Sequence, residues 1–165
     1  MQDLSQQPVR AVAKPHFEKR PKKKKKVQRM KGRRVPTQKK RGAISKKNGS
    51  KALEAYNHQC GGCGYGGEAL ELHHILFRSQ GGRGQWRNIV PLCRRCHDAC
   101  HGKFQNESDA SMLEDWDSMF KRLHEEKYGP FFGMDSWDLF SKALIPNTTH
   151  EAFERFMNEE ELKCQ

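Results

Sequence analysis

The chain has 165 residues and a formal net charge of +11, with 31% charged and 35% hydrophobic residues. That is room for one ordinary domain with an appended tail. It holds no run of 18 apolar residues to span a membrane, and Met1-Gln2-Asp3-Leu4 opens it without the apolar core of a signal peptide.

A reducing, cytoplasmic setting is therefore expected. The six cysteines then read as metal ligands or free thiols rather than disulfides. The charge is uneven. Residues 1–50 carry 18 Lys and Arg against 2 acids, residues 51–105 carry 7 against 4, and residues 106–165 carry 6 against 14. Three parts are expected: a basic arm over 1–48, a compact middle over 49–105 and an acidic extension over 106–165.

Residues 1–48 have few large apolar side chains, a self-repelling block at Lys22–Lys26, and Pro8, Pro15, Pro21 and Pro36. Such a segment buries too little surface to offset its ordering entropy, so a disordered arm is predicted. Its chemistry suits a polyanion, with nucleic acid the commonest partner. The plainer reading is a solubilising tail or a nuclear-import look-alike at residues 21–27.

Ser50 to His58 predicts a short helix, with Ser50 as N-cap. Cys60-Gly61-Gly62-Cys63-Gly64 is too glycine-rich for helix or strand and suits a backbone wrapped around a metal. Ala69 to Ile75 predicts a strand in which His73 and His74 point to opposite sides. A glycine-rich loop and a short extended piece, Asn88 to Leu92, follow. Cys96 to Lys103 predicts a helix that puts His97 and His101 on one face. The last sixty residues read as helical. Ser111-x2-Glu114 is a capping box, Gly129-Pro130 a helix stop, residues around Trp137 and Phe140 a second short helix, and Thr148-x2-Glu151 the start of a third.

Two ligand groups stand out. Cys60-x2-Cys63 and Cys93-x2-Cys96 are paired thiolate knuckles, the usual way to close a tetrahedral structural zinc (Zn2+) site. Cys100 reads as a small buried residue and Cys164 as a free thiol. His97 and His101, joined by His73 from the strand, form a three-imidazole set that leaves a coordination position open, the pattern of a catalytic metal. Imidazoles suit Zn2+, Ni2+ or Co2+, and substrate phosphate oxygens bring in Mg2+ or Mn2+. His74 faces the other way and suits a general base that takes a proton from water. Asn88 offers an amide or carbonyl to hold that imidazole in one tautomer. Arg78, Arg83 and Arg87 are candidate phosphate clamps.

Leu72-His73-His74-Ile75, Arg78-Ser79, Gly81-Gly82, Asn88, Leu92-Cys93-x2-Cys96-His97 and His101 together resemble the HNH endonuclease family, in its version with a four-cysteine zinc site. The resemblance covers about residues 50–104. It implies an α+β, ββα-metal (treble-clef-like) nuclease core. It also implies that His73 is the first metal ligand, His74 the general base, Asn88 the motif asparagine, and His97 and His101 the closing ligands. Family members often have proline before the Arg-Ser pair, where this chain has Phe77, and many have asparagine where it has His101. Small members of this kind are common in bacteriophages and bacteria, which implies a bacterial or phage-infected cytoplasm.

The expected function is metal-dependent hydrolysis of DNA phosphodiesters. The rivals are a zinc-dependent nucleic-acid-binding accessory or regulator without catalysis, and an RNA-directed nuclease. For the acidic helices three roles are open: packing on the nuclease unit, binding a protein partner, or mimicking DNA.

Overall fold

The computed structural model describes residues 32–67, 69–103 and 116–165. Most of the expected arm (residues 1–31) and the capping box Ser111-x2-Glu114 lie outside the described residues. The order is α1 (Gln38–Arg41), α2 (Lys46–Ala55), β1 (Glu71–His74), β2 (Ile89–Leu92), α3 (Arg94–Cys100), α4 (Trp116–Tyr128), α5 (Ser136–Ser141) and α6 (His150–Lys163). Two single 3₁₀ turns, Arg78–Gln80 and Trp86–Asn88, sit in the loop between the strands. This is the expected α+β architecture with β1, β2 and α3 in succession.

Order begins upstream of where composition placed it. Thr37 caps α1, accepting from the Lys40 N–H at 3.3 Å, and Ser45 caps α2, accepting from Asn48 at 3.2 Å. The helix expected to start after Ser50 therefore starts at Lys46, and residues 37–48, counted with the arm, belong partly to helices. The lysines there misled the composition argument, because they need only one exposed face while a cap and a tertiary contact supply the order. α2 buries Ala52 and packs on β2.

β1 and β2 pair antiparallel, with His73 opposite Val90 and His74 opposite Ile89. Every residue of β2 is buried. Val90 and Leu92 pack with Ile75, Phe120, Tyr128 and Phe132, so α4 covers the sheet that α2 supports. The loop between the strands is held by Asn88, which is fully buried. Its Oδ1 accepts from Leu76 N–H at 2.8 Å, and its Nδ2 donates to the Arg83 carbonyl at 2.9 Å and the Leu76 carbonyl at 3.2 Å. Gly82 permits this closure: a Cβ there would lie 1.7 Å from the Leu76 carbonyl oxygen.

Gly129, at φ +80°, ends α4 as expected. Leu139, Phe140, Ile145, Phe153 and Met157 form a second core between α5 and α6. The α6 cap is Thr149 rather than Thr148. The acidic extension, over its described residues, packs on the part of the chain that holds β1 and β2.

His124 of α4 sits at that seam, buried to 3% exposure. Its Nδ1–H donates to the Arg87 carbonyl at 2.6 Å, and its Nε2 accepts from the Tyr56 hydroxyl at 2.6 Å. This pattern requires the neutral ring. Burial holds its pKa near 4 against an ordinary 6.5. Between those pH values the unfolded chain binds more protons than the folded one. Stability should then be undiminished by this group above about pH 6.5 and fall by about 3 kcal/mol as pH drops towards 4. Urea melts of wild type and His124→Gln across that range check this: the gap between them should shrink as the pH falls. A gap of constant size would exclude the assignment.

Candidate active site and metal centres

The four cysteines converge from two turns. Cys60 and Cys63 belong to a knuckle closed by Cys60 N–H donating to the Tyr65 carbonyl at 2.8 Å and Gly64 N–H donating to the Cys60 carbonyl at 2.9 Å. Cys93 caps α3, and Cys96 lies in its first turn. All four sulfurs lie within 4.8 Å of one another, and the Cys63 and Cys93 sulfurs are 3.7 Å apart. Tetrahedral Zn–S bonds of about 2.3 Å would set sulfurs about 3.8 Å apart, so the set is compatible with zinc. Burial pushes the Cys60 thiol up, but backbone N–H donors from Cys63, Cys93 and Gly62 outweigh it and hold the thiol at about 7. Burial and the neighbouring sulfurs drive Cys96 up. Four thiols this close ionise together only around a cation. Cys100 lies outside the set and packs against the core, with burial raising its thiol to about 11.

The second centre is His73, His97 and His101, whose candidate ligand nitrogens also lie within 4.8 Å of one another. Their ring centroids are 4.7 to 5.2 Å apart. Helical spacing brings His97 and His101 together, with His101 closing the C-terminus of α3. His73 comes from the buried face of β1. Burial and the two neighbouring imidazoles lower its pKa to about 4, so the ring stays neutral, as a metal ligand must be. Phe77, in the place where family members often have proline, sets its ring edge-on to His73 and stacks on His101.

Glu71 completes this centre and was not singled out from the sequence. Its Oε2 accepts from His97 Nδ1–H at 2.6 Å, leaving His97 Nε2 to carry the lone pair. The signal was there: residues 71 and 73 share a strand face. Glu71→Gln should weaken divalent-metal binding at the histidine centre about 10- to 100-fold, read by titration with Ni2+ or Mn2+, while leaving the zinc content of the cysteine centre unchanged.

His74 turns away from the cluster yet lines the same open cavity. That cavity, of about 450 Å³, is bounded by Leu72, His73, His74, Phe77, Arg78, Ser79, His97 and His101. His74 Nε2 lies 2.9 Å from the Gly42 carbonyl. A carbonyl only accepts, so Nε2 carries the proton and Nδ1 the lone pair. Burial lowers the His74 pKa, which keeps the ring neutral.

Three expectations change here. The Asn88 hydrogen bonds go to Leu76, Arg83 and Ile75 and not to His74: its amide spans the loop as described, and Gly42 takes the tautomer-setting role. Arg83 is not in the cavity either. Its side chain is 11% exposed and donates to Asp138 through Nε at 2.6 Å and Nη2 at 2.9 Å. Arg87, 3% exposed, is held by Glu154, Glu161 and Asn158 of α6. Both guanidiniums bind carboxylates of the extension and are closed to phosphate. Arg78 alone of the three lines the cavity.

No helix among the described residues is long and apolar enough to cross a membrane. No curated protein matches the chain. The family model described as HNH endonuclease matches residues 60–103, the segment that supplies both candidate ligand sets, the paired strands and His74.

Proposed function

We propose that the protein is a metal-dependent endonuclease that hydrolyses DNA phosphodiester bonds, with His74 as the general base. One observation carries this reading: His74, whose Nε2 is engaged by the Gly42 carbonyl, lines the same cavity as the three-histidine cluster. A base and a metal centre on one cavity are what in-place activation of water at a phosphate requires.

His73, His97 and His101 would hold a divalent ion, Mg2+, Mn2+, Ni2+ or Zn2+, which when bound supplies Lewis-acid stabilisation of charge on the phosphate and leaving oxygen. His74 takes the proton of the attacking water at Nδ1. Arg78, at the cavity wall, orients the phosphate. Asn88 keeps the loop closed so that His74 and Arg78 hold their places. The four cysteines hold a structural zinc that ties the knuckle to α3.

The assay is supercoiled plasmid with purified protein, each of the four metals in turn, and EDTA as control. Metal-dependent relaxed or linear product is expected. An intact plasmid under every metal sinks the reading, and parallel cleavage of RNA in place of DNA reassigns the substrate.

Lys39 and Lys40 of α1 and Lys46 and Lys47 of α2 are exposed and continue the basic character of residues 1–31 into the described part of the chain. Deleting residues 1–31, rather than the whole of 1–48, keeps α1 and α2. It should weaken DNA binding and flatten the dependence of log affinity on log salt, because fewer counterions are released. An unchanged salt slope in filter binding or fluorescence anisotropy would remove the arm from the interface.

A further inference from the structure

The HNH segment lacks the group that sets the tautomer of its own histidine. That group is the carbonyl of Gly42, 18 residues before Cys60, at the end of α1. Three contacts fix the α1 turn. Gln38 Nε2–H donates to the Arg78 carbonyl at 3.0 Å, and Gly84 N–H donates to the Arg41 carbonyl at 3.0 Å. The third reaches the far end of the chain. Arg41 Nε–H donates to Asp135 Oδ2 at 2.6 Å, its Nη2 bonds Asp135 Oδ1, and Nη2 lies 2.6 Å from Asp138 Oδ1.

This is not a surface ion pair. The Arg41 and Asp135 side chains are 12% and 8% exposed, and Arg83 joins the same cluster through Asp138. Asp135 is itself immobilised as the N-cap of α5, accepting from the Trp137 and Asp138 N–H groups at 3.0 Å each. A chain of rigid links therefore runs from the start of α5 through Asp135 and Arg41 to the adjoining Gly42 carbonyl and His74.

We propose that Arg41, clasped by Asp135 and Asp138 of the acidic extension, is a positioning residue for the general base. It holds the Gly42 carbonyl where it keeps the His74 proton on Nε2 and the lone pair on Nδ1. A neutral imidazole with no acceptor at Nε2 divides between its two tautomers, and part of its population then presents a proton where the attacking water needs a base. The extension on this view is a built-in part of the active site. The assignment rests on His74 being the base, and its test is chosen to separate the two claims.

The experiment compares wild type with Arg41→Ala, Arg41→Lys, Asp135→Asn and, as a control, Glu154→Gln. Asparagine keeps the α5 cap. Lysine keeps the charge without the two-pronged fork. Glu154→Gln loosens the same extension at Arg87 without touching Arg41. Long-range nitrogen–proton correlation spectra of histidine-labelled protein read the His74 tautomer whether or not the protein cuts DNA.

Wild type and Glu154→Gln should show one protonated nitrogen, Nε2. Arg41→Ala should show mixed tautomers, and Asp135→Asn and Arg41→Lys intermediate behaviour. In plasmid cleavage, Arg41→Ala should lower kcat about 10- to 100-fold with KM nearly unchanged, while Glu154→Gln leaves kcat alone. Retention of the wild-type spectrum in both Arg41→Ala and Asp135→Asn overturns the proposal. So does an equal effect of Glu154→Gln, or an Arg41→Ala tautomer change with no loss of kcat. If wild type itself never cuts, the endonuclease reading fails and the spectra still decide whether Arg41 sets the His74 tautomer.

Discussion

His74→Ala is expected to lower kcat for plasmid cleavage by about two to four orders of magnitude, the range a positioned general base contributes. Metal content at both centres should be unchanged. The physical reason is the division of labour between neighbours on β1. His73 is buried and faces His97 and His101, whereas His74 bonds the Gly42 carbonyl and keeps Nδ1 free. Removing His74 deletes the proposed proton acceptor and leaves His73, His97 and His101 in place. His73→Ala should behave differently: activity and occupancy of the histidine centre fall together, because a buried ligand is lost. A His74→Ala protein that binds one metal fewer, or that cuts like wild type, would contradict the assignment of His74.

Cys60→Ser, or stripping zinc from the wild type with a strong chelator, should unfold the middle of the chain. Cys60 is 3% exposed and belongs to the core that includes Val90, Leu92, Cys96 and Phe120. Two four-residue strands and a seven-residue helix make a small unit. In such a unit a bound metal supplies much of the folding free energy, of the order of 10 kcal/mol or more for structural zinc. Elemental analysis should find one tightly held zinc per wild-type chain and none in Cys60→Ser, with loss of the cooperative thermal transition. Both observations are needed. A zinc-free wild type that melts normally would dissolve the division into a structural and a catalytic centre.

The two centres were legible in the sequence because each depends on local geometry. A Cys-x2-Cys turn brings two thiols within reach of one ion, and residues four apart on a helix share a face. Adjacent strand residues diverge, which separated His73 from His74. The helix stop at Gly129 follows from the freedom of glycine at positive φ. The arginines show where this kind of reading ends. Arg78, Arg83 and Arg87 look alike in a basic loop, yet only Arg78 reaches the cavity. The partners that claim the other two, Asp138 and Glu161, lie 55 and 74 residues downstream. The acidic excess of the extension was visible, but not that its carboxylates would be consumed by the buried guanidiniums of Arg83 and Arg87.

By itself, then, the sequence determined the candidate ligand types, their spacing, the ββα order and the separation of His73, which meets His97 and His101, from His74, which turns away from them. All of these are short-range consequences of backbone periodicity. Only the tertiary structure decided that Gly42 rather than Asn88 sets the His74 tautomer, that Glu71 orients His97, and that Arg41, Arg83 and Arg87 bind the C-terminal helices. Those pairings depend on which distant segments meet when the second core docks on the first, and a hydrogen bond between residues far apart in the chain leaves no periodic trace in either segment.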